Sequence, residues 1–127
     1  PREITMAPNF TTKIAPHVES ELAEARRSRL VGHAMQEFVH LERAHVLGQE
    51  STYWHVKVHT LMLLWALRNH SVREALGQLF RIVGAATKTA LGLVPQGNTG
   101  GTNVSPFKAM PIAPELAALI GEAKADV

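Results

Sequence analysis

Cysteine is absent from the 127 residues of this chain. Its absence excludes disulfide bonds, cysteine-ligated zinc sites and thiol catalysis, and it suits a cytoplasmic protein. The chain also has no apolar segment of membrane-spanning length. The most apolar stretch, Leu61 to Leu67, is far shorter than the roughly 20 residues that cross a bilayer. We therefore expect a cytoplasmic protein that makes no contact with a membrane.

The net charge of the chain is also small. Thirteen lysines and arginines face eleven aspartates and glutamates, which leaves a formal net charge of +2. The one dense basic cluster, Arg26 to Arg29, follows three glutamates, so we interpret it as a solvated helix face and expect no nucleic-acid partner. No serine lies in a nucleophile-elbow motif. We predict that the protein is not an enzyme.

Apolar residues recur at helical spacing through most of the chain, and no alternating strand pattern is present. The sequence predicts a single all-α domain over residues 1–127, with helices at about 16–30, 33–47, 52–69, 71–91 and 114–123. Residues 1–15 are predicted to form an irregular arm, with Pro16 in the first helical turn. The Gly/Pro-rich residues 92–113 are predicted to form a non-helical wrap. The buried stripe of the fourth helix is predicted to comprise Val72, Ala75, Leu76, Leu79, Val83 and Ala86.

A faint internal repeat suggests how these helices are arranged. Moving the chain by 38 residues places His17 on His55 and Leu41 on Leu79. The first repeat resembles a tetratricopeptide hairpin, with Leu41, Ala44 and Leu47 at its packing positions. We expect two stacked tetratricopeptide-like helical hairpins, followed by the Gly/Pro-rich loop and a short C-terminal helix. Two units are few for a solenoid, so a compact bundle or a homo-oligomer is favoured.

Four of the seven histidines lie between residues 40 and 59. At 100° per residue, His45 falls in the middle of the apolar face of the second helix, and Glu42 lies at its edge. His55 and His59 fall on the inward stripe of the third helix. Because the connector is short, the two helices should be antiparallel neighbours. The pattern therefore predicts that three imidazoles, with the Glu42 carboxylate as a fourth candidate, converge between two helices.

Such a cluster suits a divalent transition metal. Two histidines four residues apart can bind one ion, and a Glu-x-x-His pair on a facing helix can complete the site. Zinc, iron, nickel, cobalt and copper(II) all fit these ligands. The alternative is structural, since buried histidines often bond to a carbonyl or carboxylate and bind nothing. A weaker surface site is conceivable at His33, Glu37 and His40, which are predicted to share the wetter side of the second helix.

Two further features bear on binding. Residues Gly97 to Gly101 could present backbone amides to an anion, but they lack the Lys-Ser/Thr ending of a P-loop, so a tight turn is the favoured interpretation. Trp54 and Trp65 lie on or beside the apolar third helix and are expected in the core or in a dimer interface. The sequence thus leaves two functions open. One is an accessory protein that binds a metal or small ligand, and the other is an interaction module, binding itself or a protein partner, whose histidines are structural.

Several motifs carry a family resemblance. They are Leu41-Glu-Arg-Ala-His-Val-Leu-Gly-Gln49, His55-x-x-x-His59-x-x-Met62, Glu74-x-x-Gly-Gln78, Pro95-x-Gly-Asn-Thr-Gly100 and Met110-Pro-Ile112. Together they resemble a small bacterial family, the domain-of-unknown-function family 3703, over roughly residues 10–121. The resemblance implies a compact cytosolic helical domain with no assigned activity. Members are often encoded near heavy-metal handling genes, which favours the metal hypothesis. His45, His55 and His59 match the family motif, whereas His33, His40 and His70 do not.

Overall fold

The computed structural model describes residues 9–90, 96–105 and 107–125. These residues form five helices and no strand, which confirms the predicted all-α fold. The helices are α1 (Phe10–Leu30), α2 (Ala34–Gly48), α3 (Thr52–Arg68), α4 (Val72–Ala90) and α5 (Pro114–Lys124). Residues 96–105 and 107–113 form turns and irregular backbone. The predictions for residues 1–8, 91–95 and 106 lie outside the described residues.

The first helix begins earlier than predicted, so the expected irregular backbone is wrong for residues 10–15. The side chain of Asn9 caps α1 by accepting the Thr12 amide at 3.0 Å, and Pro16 lies inside the helix. Proline removes one helical hydrogen bond there. Contacts distant in sequence hold the extra turns, because Ile14 is fully buried and the Thr11 carbonyl accepts the Trp54 indole N–H at 3.0 Å.

The helices pack in two pairs, α1 with α2 and α3 with α4, and α2 also packs on α3. Helix α5 lies against α1 and α2. The most deeply buried members of the hydrophobic core are Ile14, Val18, Ala44, Leu47, Val58, Met62 and Ala66. Both tryptophans are in this core, and the Trp65 indole donates to the Ala34 carbonyl at 2.8 Å. Among the described residues, no helix is both long and apolar enough to cross a membrane.

The orientation of α4 contradicts the prediction. Ala75 is buried, but the other large members of the predicted stripe, Val72, Leu76, Leu79 and Val83, are exposed. The polar side chains of Glu74, Gln78 and Arg81 are buried instead. Within the described residues, α3 is the only helix that packs against α4. The rest of its inner face meets the 96–105 loop, whose backbone groups require polar partners.

Candidate metal centre

Three histidines meet between α2 and α3. His45 from α2 and His55 and His59 from α3 each place one ring nitrogen within 4.8 Å of the others. The Nε2 atoms of His45 and His59 are 3.1 Å apart. All three side chains are at most 5% exposed. The one-turn spacing of His55 and His59 puts both on the face of α3 that packs inward, as helical periodicity requires.

The 96–105 loop covers the His45 ring. Nδ1 of His45 lies 2.6 Å from the Asn98 carbonyl oxygen, which makes this nitrogen the donor of the neutral ring. Asn98 is itself held in place, since its side-chain Nδ2 donates to the Ser105 and Lys108 carbonyls at 2.8 and 2.7 Å. Gly100 has φ +86°, and a Cβ atom there would lie 2.5–2.8 Å from ring atoms of His45. Only glycine allows the loop to approach this closely.

His59 is oriented by Gln78 of α4. Its Nδ1 lies 2.6 Å from Oε1 of the fully buried Gln78 side chain. The Gln78 Nε2 donates to the Gly100 carbonyl at 2.9 Å and to the Met62 sulfur at 3.4 Å, so Oε1 is the accepting end of the amide. Nδ1 of His59 is therefore the donor. In the neutral rings of His45 and His59, both Nε2 lone pairs point into the cluster.

This arrangement of outer partners is the one that metal-bound histidines use. A ligating histidine usually donates its other ring N–H to a carbonyl or carboxylate, which fixes the tautomer and the ring orientation. Here the carbonyl of Asn98 and the amide oxygen of Gln78 fill these roles. The same arrangement also suits a structural pair of buried histidines.

The electrostatics keep His45 neutral. Burial lowers the pKa of His45 well below its usual value of 6.5, and the neighbouring His59 and His55 lower it further. The Asn98 carbonyl opposes this shift, while Arg81 adds to it. Metal ions bind the neutral imidazole, so the environment favours the form that can act as a ligand at pH 7.

Arg81 of α4 holds the loop in place. Its guanidinium donates to the Gly100 carbonyl at 2.7 Å, to the Val104 carbonyl at 2.5 Å and to the Gly101 carbonyl. On the same face, the Glu74 carboxylate accepts the Thr102 amide at 3.0 Å. The buried polar side of α4 thus forms the support of the candidate site.

Glu42 does not join the three histidines. The group of ligand atoms that converge within the described ranges consists of His45, His55 and His59. Burial raises the pKa of Glu42, the nearby Glu74 carboxylate raises it further, and a hydrogen bond from Thr99 lowers it. Its expected role as a metal ligand stays a prediction.

Two residues of the predicted surface site, Glu37 and His40, form other contacts. His40 Nδ1 lies 2.9 Å from the Glu21 carboxylate, which also pairs with Arg43. Glu37 was predicted on the wetter side, but it is 5% exposed because Arg68 of α3 forms an ion pair over it. The predicted exposure of Glu37 was therefore wrong, whereas His33 is exposed.

Sequence reasoning missed the partners that orient the histidines. Gln78, Arg81, Asn98 and Gly100 were not predicted to contact the histidines, although the family-like motifs include Gln78, Asn98 and Gly100. The available signal was the row of polar residues at helical spacing on α4, which indicates a second, polar face that also has to pack.

In the Gly97 to Gly101 segment, the Gly100 amide donates to the Asn98 side chain at 2.9 Å, which favours the tight-turn interpretation.

Comparison with known proteins identifies the family. The family model described as "Protein of unknown function (DUF3703)" matches residues 12–120. No curated protein and no solved structure matches the chain. Because the family model covers most of the sequence, including all three clustered histidines and the loop above them, the chain belongs to this family of unknown function.

Proposed function

We propose that this protein is a non-enzymatic accessory protein that binds one divalent transition-metal ion through His45, His55 and His59. The observation that carries the proposal is the 3.1 Å approach of the His45 and His59 Nε2 atoms. At zinc–nitrogen bond lengths of about 2.0–2.1 Å, two nitrogen ligands of a tetrahedral ion lie about 3.3 Å apart. The pair is therefore close to ligand spacing, and one ion would accept both lone pairs.

The third ligand completes a familiar donor set. His55 lies within 4.8 Å of the other two nitrogens, so its ring would move inward by up to roughly 1.5 Å on binding. Three imidazoles with one further small ligand suit zinc, cobalt(II), nickel(II) or copper(II). The burial of all three side chains favours retention of an ion over turnover of a substrate.

The second candidate is an interaction module with purely structural histidines. It is favoured by one observation, which is that His45 and His59 each already have a buried protein partner. On either interpretation we place the protein in the cytoplasm, supported by the lack of cysteine. We also interpret the α1–α2 and α3–α4 pairs as tetratricopeptide-like hairpins, supported by their mutual packing.

Cobalt(II) titration of chelator-treated protein tests the metal proposal. We expect one ion per chain, with the visible absorption typical of tetrahedral coordination and a matching mass shift in native mass spectrometry. The double variant His55→Ala/His59→Ala should bind more than about 100-fold more weakly, since even the loss of an outer partner costs 10–100-fold. Circular dichroism shows whether the variant remains folded, and His55→Gln serves as a milder substitution if it does not.

The matched control is His33→Ala/His40→Ala, at the N-cap of α2 and on its α1-facing side, which removes two imidazoles outside the cluster. This control should bind cobalt as the native chain does. Absence of binding by the native chain, or equal binding by a folded His55→Ala/His59→Ala variant, would overturn the proposal in favour of structural histidines.

A further inference from the structure

The apolar face of α4 points away from the protein's own core. Five large apolar side chains form it, and each is at least 52% exposed: Val72, Leu76, Leu79, Phe80 and Val83. Single exposed apolar residues are ordinary, but a contiguous apolar surface marks an interaction site. The face cannot turn inward, because Gln78 and Arg81 on the opposite side are bonded to the 96–105 loop.

The spacing of this face is that of a helix seam. Val72, Leu76, Leu79 and Val83 follow one another at intervals of four, three and four residues, which is the alternation of the two apolar positions in a heptad. Glu74 and Arg81 fall opposite the seam, in agreement with their burial. Over residues 72–87, Arg73 is the single charged side chain on the exposed side.

The seam is complementary to itself. If two copies of α4 pair in antiparallel orientation about a two-fold axis, Leu76 of one copy meets Leu79 of the other. Val72 then meets Val83, and four layers of matched size result. A two-fold interface requires one surface to fit itself in this way. No second kind of chain has to be invoked, and no charge is buried in the seam.

The area of the face reaches the lower limit for a dimer. Five side chains at roughly 100 Å² each amount to about 500 Å² per copy. The total of about 1,000 Å² is at the lower limit for a specific protein–protein interface. We infer that α4 is the interface of an antiparallel homodimer of this chain. The inference is independent of metal binding, since the seam lies on the exposed face of α4 and the three histidines lie on α2 and α3.

Sedimentation velocity across a concentration series, in chelator to prevent metal bridging, tests the dimer. The native chain should shift from monomer to dimer as its concentration rises. Leu76→Glu should weaken the association at least tenfold, because it places a charge in the centre of the seam. The matched control is Leu30→Glu at the end of α1, where the leucine is 74% exposed and outside the seam. It should dimerise as the native chain does, and circular dichroism should show both variants folded.

Mixing two variants tests the orientation. In the antiparallel register, Leu76→Glu and Leu79→Lys should each be largely monomeric, but their mixture should form a heterodimer with one Glu–Lys layer and one intact leucine layer. Leu76→Glu mixed with Leu76→Lys should remain monomeric. The inference is overturned if the native chain stays monomeric, if Leu76→Glu dimerises normally, or if the second mixture associates and the first does not.

Discussion

The Nε2 atoms of His45 and His59 lie 3.1 Å apart, and in the neutral forms of the two rings each Nε2 directs a lone pair toward the gap. Their Nδ1 atoms are engaged by the Asn98 carbonyl and by Gln78, so neither ring can turn without losing a buried hydrogen bond. The loop and α4 therefore hold two imidazoles in a position that a metal ion would stabilise.

Gln78→Leu should weaken metal binding about 10–100-fold, as loss of an outer partner typically does. The substitution leaves all three histidines in place but removes the acceptor that fixes the His59 tautomer. Competition with a chromophoric chelator measures the affinity. Gln36→Leu is the matched control, because Gln36 is exposed on α2. Equal affinity in the two variants would contradict the role assigned to Gln78.

Gly100→Ala should destabilise the protein by about 2–5 kcal/mol, since it combines a left-handed backbone with a clash. The new Cβ would lie within 2.8 Å of His45 ring atoms. Gly32→Ala is the matched control, because Gly32 has a similar φ of +80° but a Cβ added there would meet no atom within 4 Å. That variant should lose only about 1–2 kcal/mol. Urea unfolding measures both, and equal losses would show that the loop does not press on His45.

The stability of the metal-free protein should fall in mild acid. The pKa of His45 is well below 6.5 in the folded state, mainly because of burial, so the unfolded chain takes up a proton that the folded chain does not. Above pH 6.5 this histidine adds no pH dependence. Below it, the free energy of unfolding should decrease by up to about 1.4 kcal/mol per pH unit, until the folded pKa is reached.

Urea unfolding at pH 7.5 and pH 5.5, with chelator present, measures this dependence. His45→Phe should show a smaller decrease between the two pH values, because it removes the group that titrates. An equal decrease in the native chain and in this variant would assign the effect to other groups.

Glu42→Gln should stabilise the protein slightly at pH 7. Burial and Glu74 raise the pKa of Glu42, so its ionised form carries a penalty in the folded state. The penalty is present once the pH exceeds the folded pKa and disappears below 4.5, where Glu42 is protonated in both states. Thermal melts at pH 7 and pH 4 should show the gain only at pH 7.

The same Glu42→Gln variant decides whether Glu42 is a ligand. Glu42 lies outside the converging histidines, so an unchanged cobalt(II) affinity would limit the site to the three imidazoles. A tenfold loss would show that the carboxylate joins the site when the ion binds.

Much of the fold is encoded locally. Capping residues and apolar spacing placed α2, α3 and α5 to within a residue or so of their observed ends. The helical period also turned His45, His55 and His59 toward one another, and all three are buried. These features depend on neighbours within a few residues, which a single sequence displays.

The errors arise where distant residues compete with the local pattern. The apolar spacing of α4 correctly grouped Val72, Leu76, Leu79 and Val83 on one face, but it did not show which face the rest of the chain would cover. The carbonyls of Gly100, Gly101 and Val104 turned Gln78 and Arg81 inward, because buried backbone groups must be hydrogen-bonded. The start of α1 was misplaced for a related reason, since the Trp54 contact with Thr11 is not visible locally.

Short-range periodicity is enough to predict that the protein is helical and that three histidines face inward. How those histidines are held depends on the tertiary structure. The Asn98 carbonyl is 53 residues from His45 and the Gln78 amide is 19 residues from His59. Hydrogen bonds over such separations depend on how the loop crosses the helices, and it is this packing that brings His45 and His59 to the spacing of metal ligands.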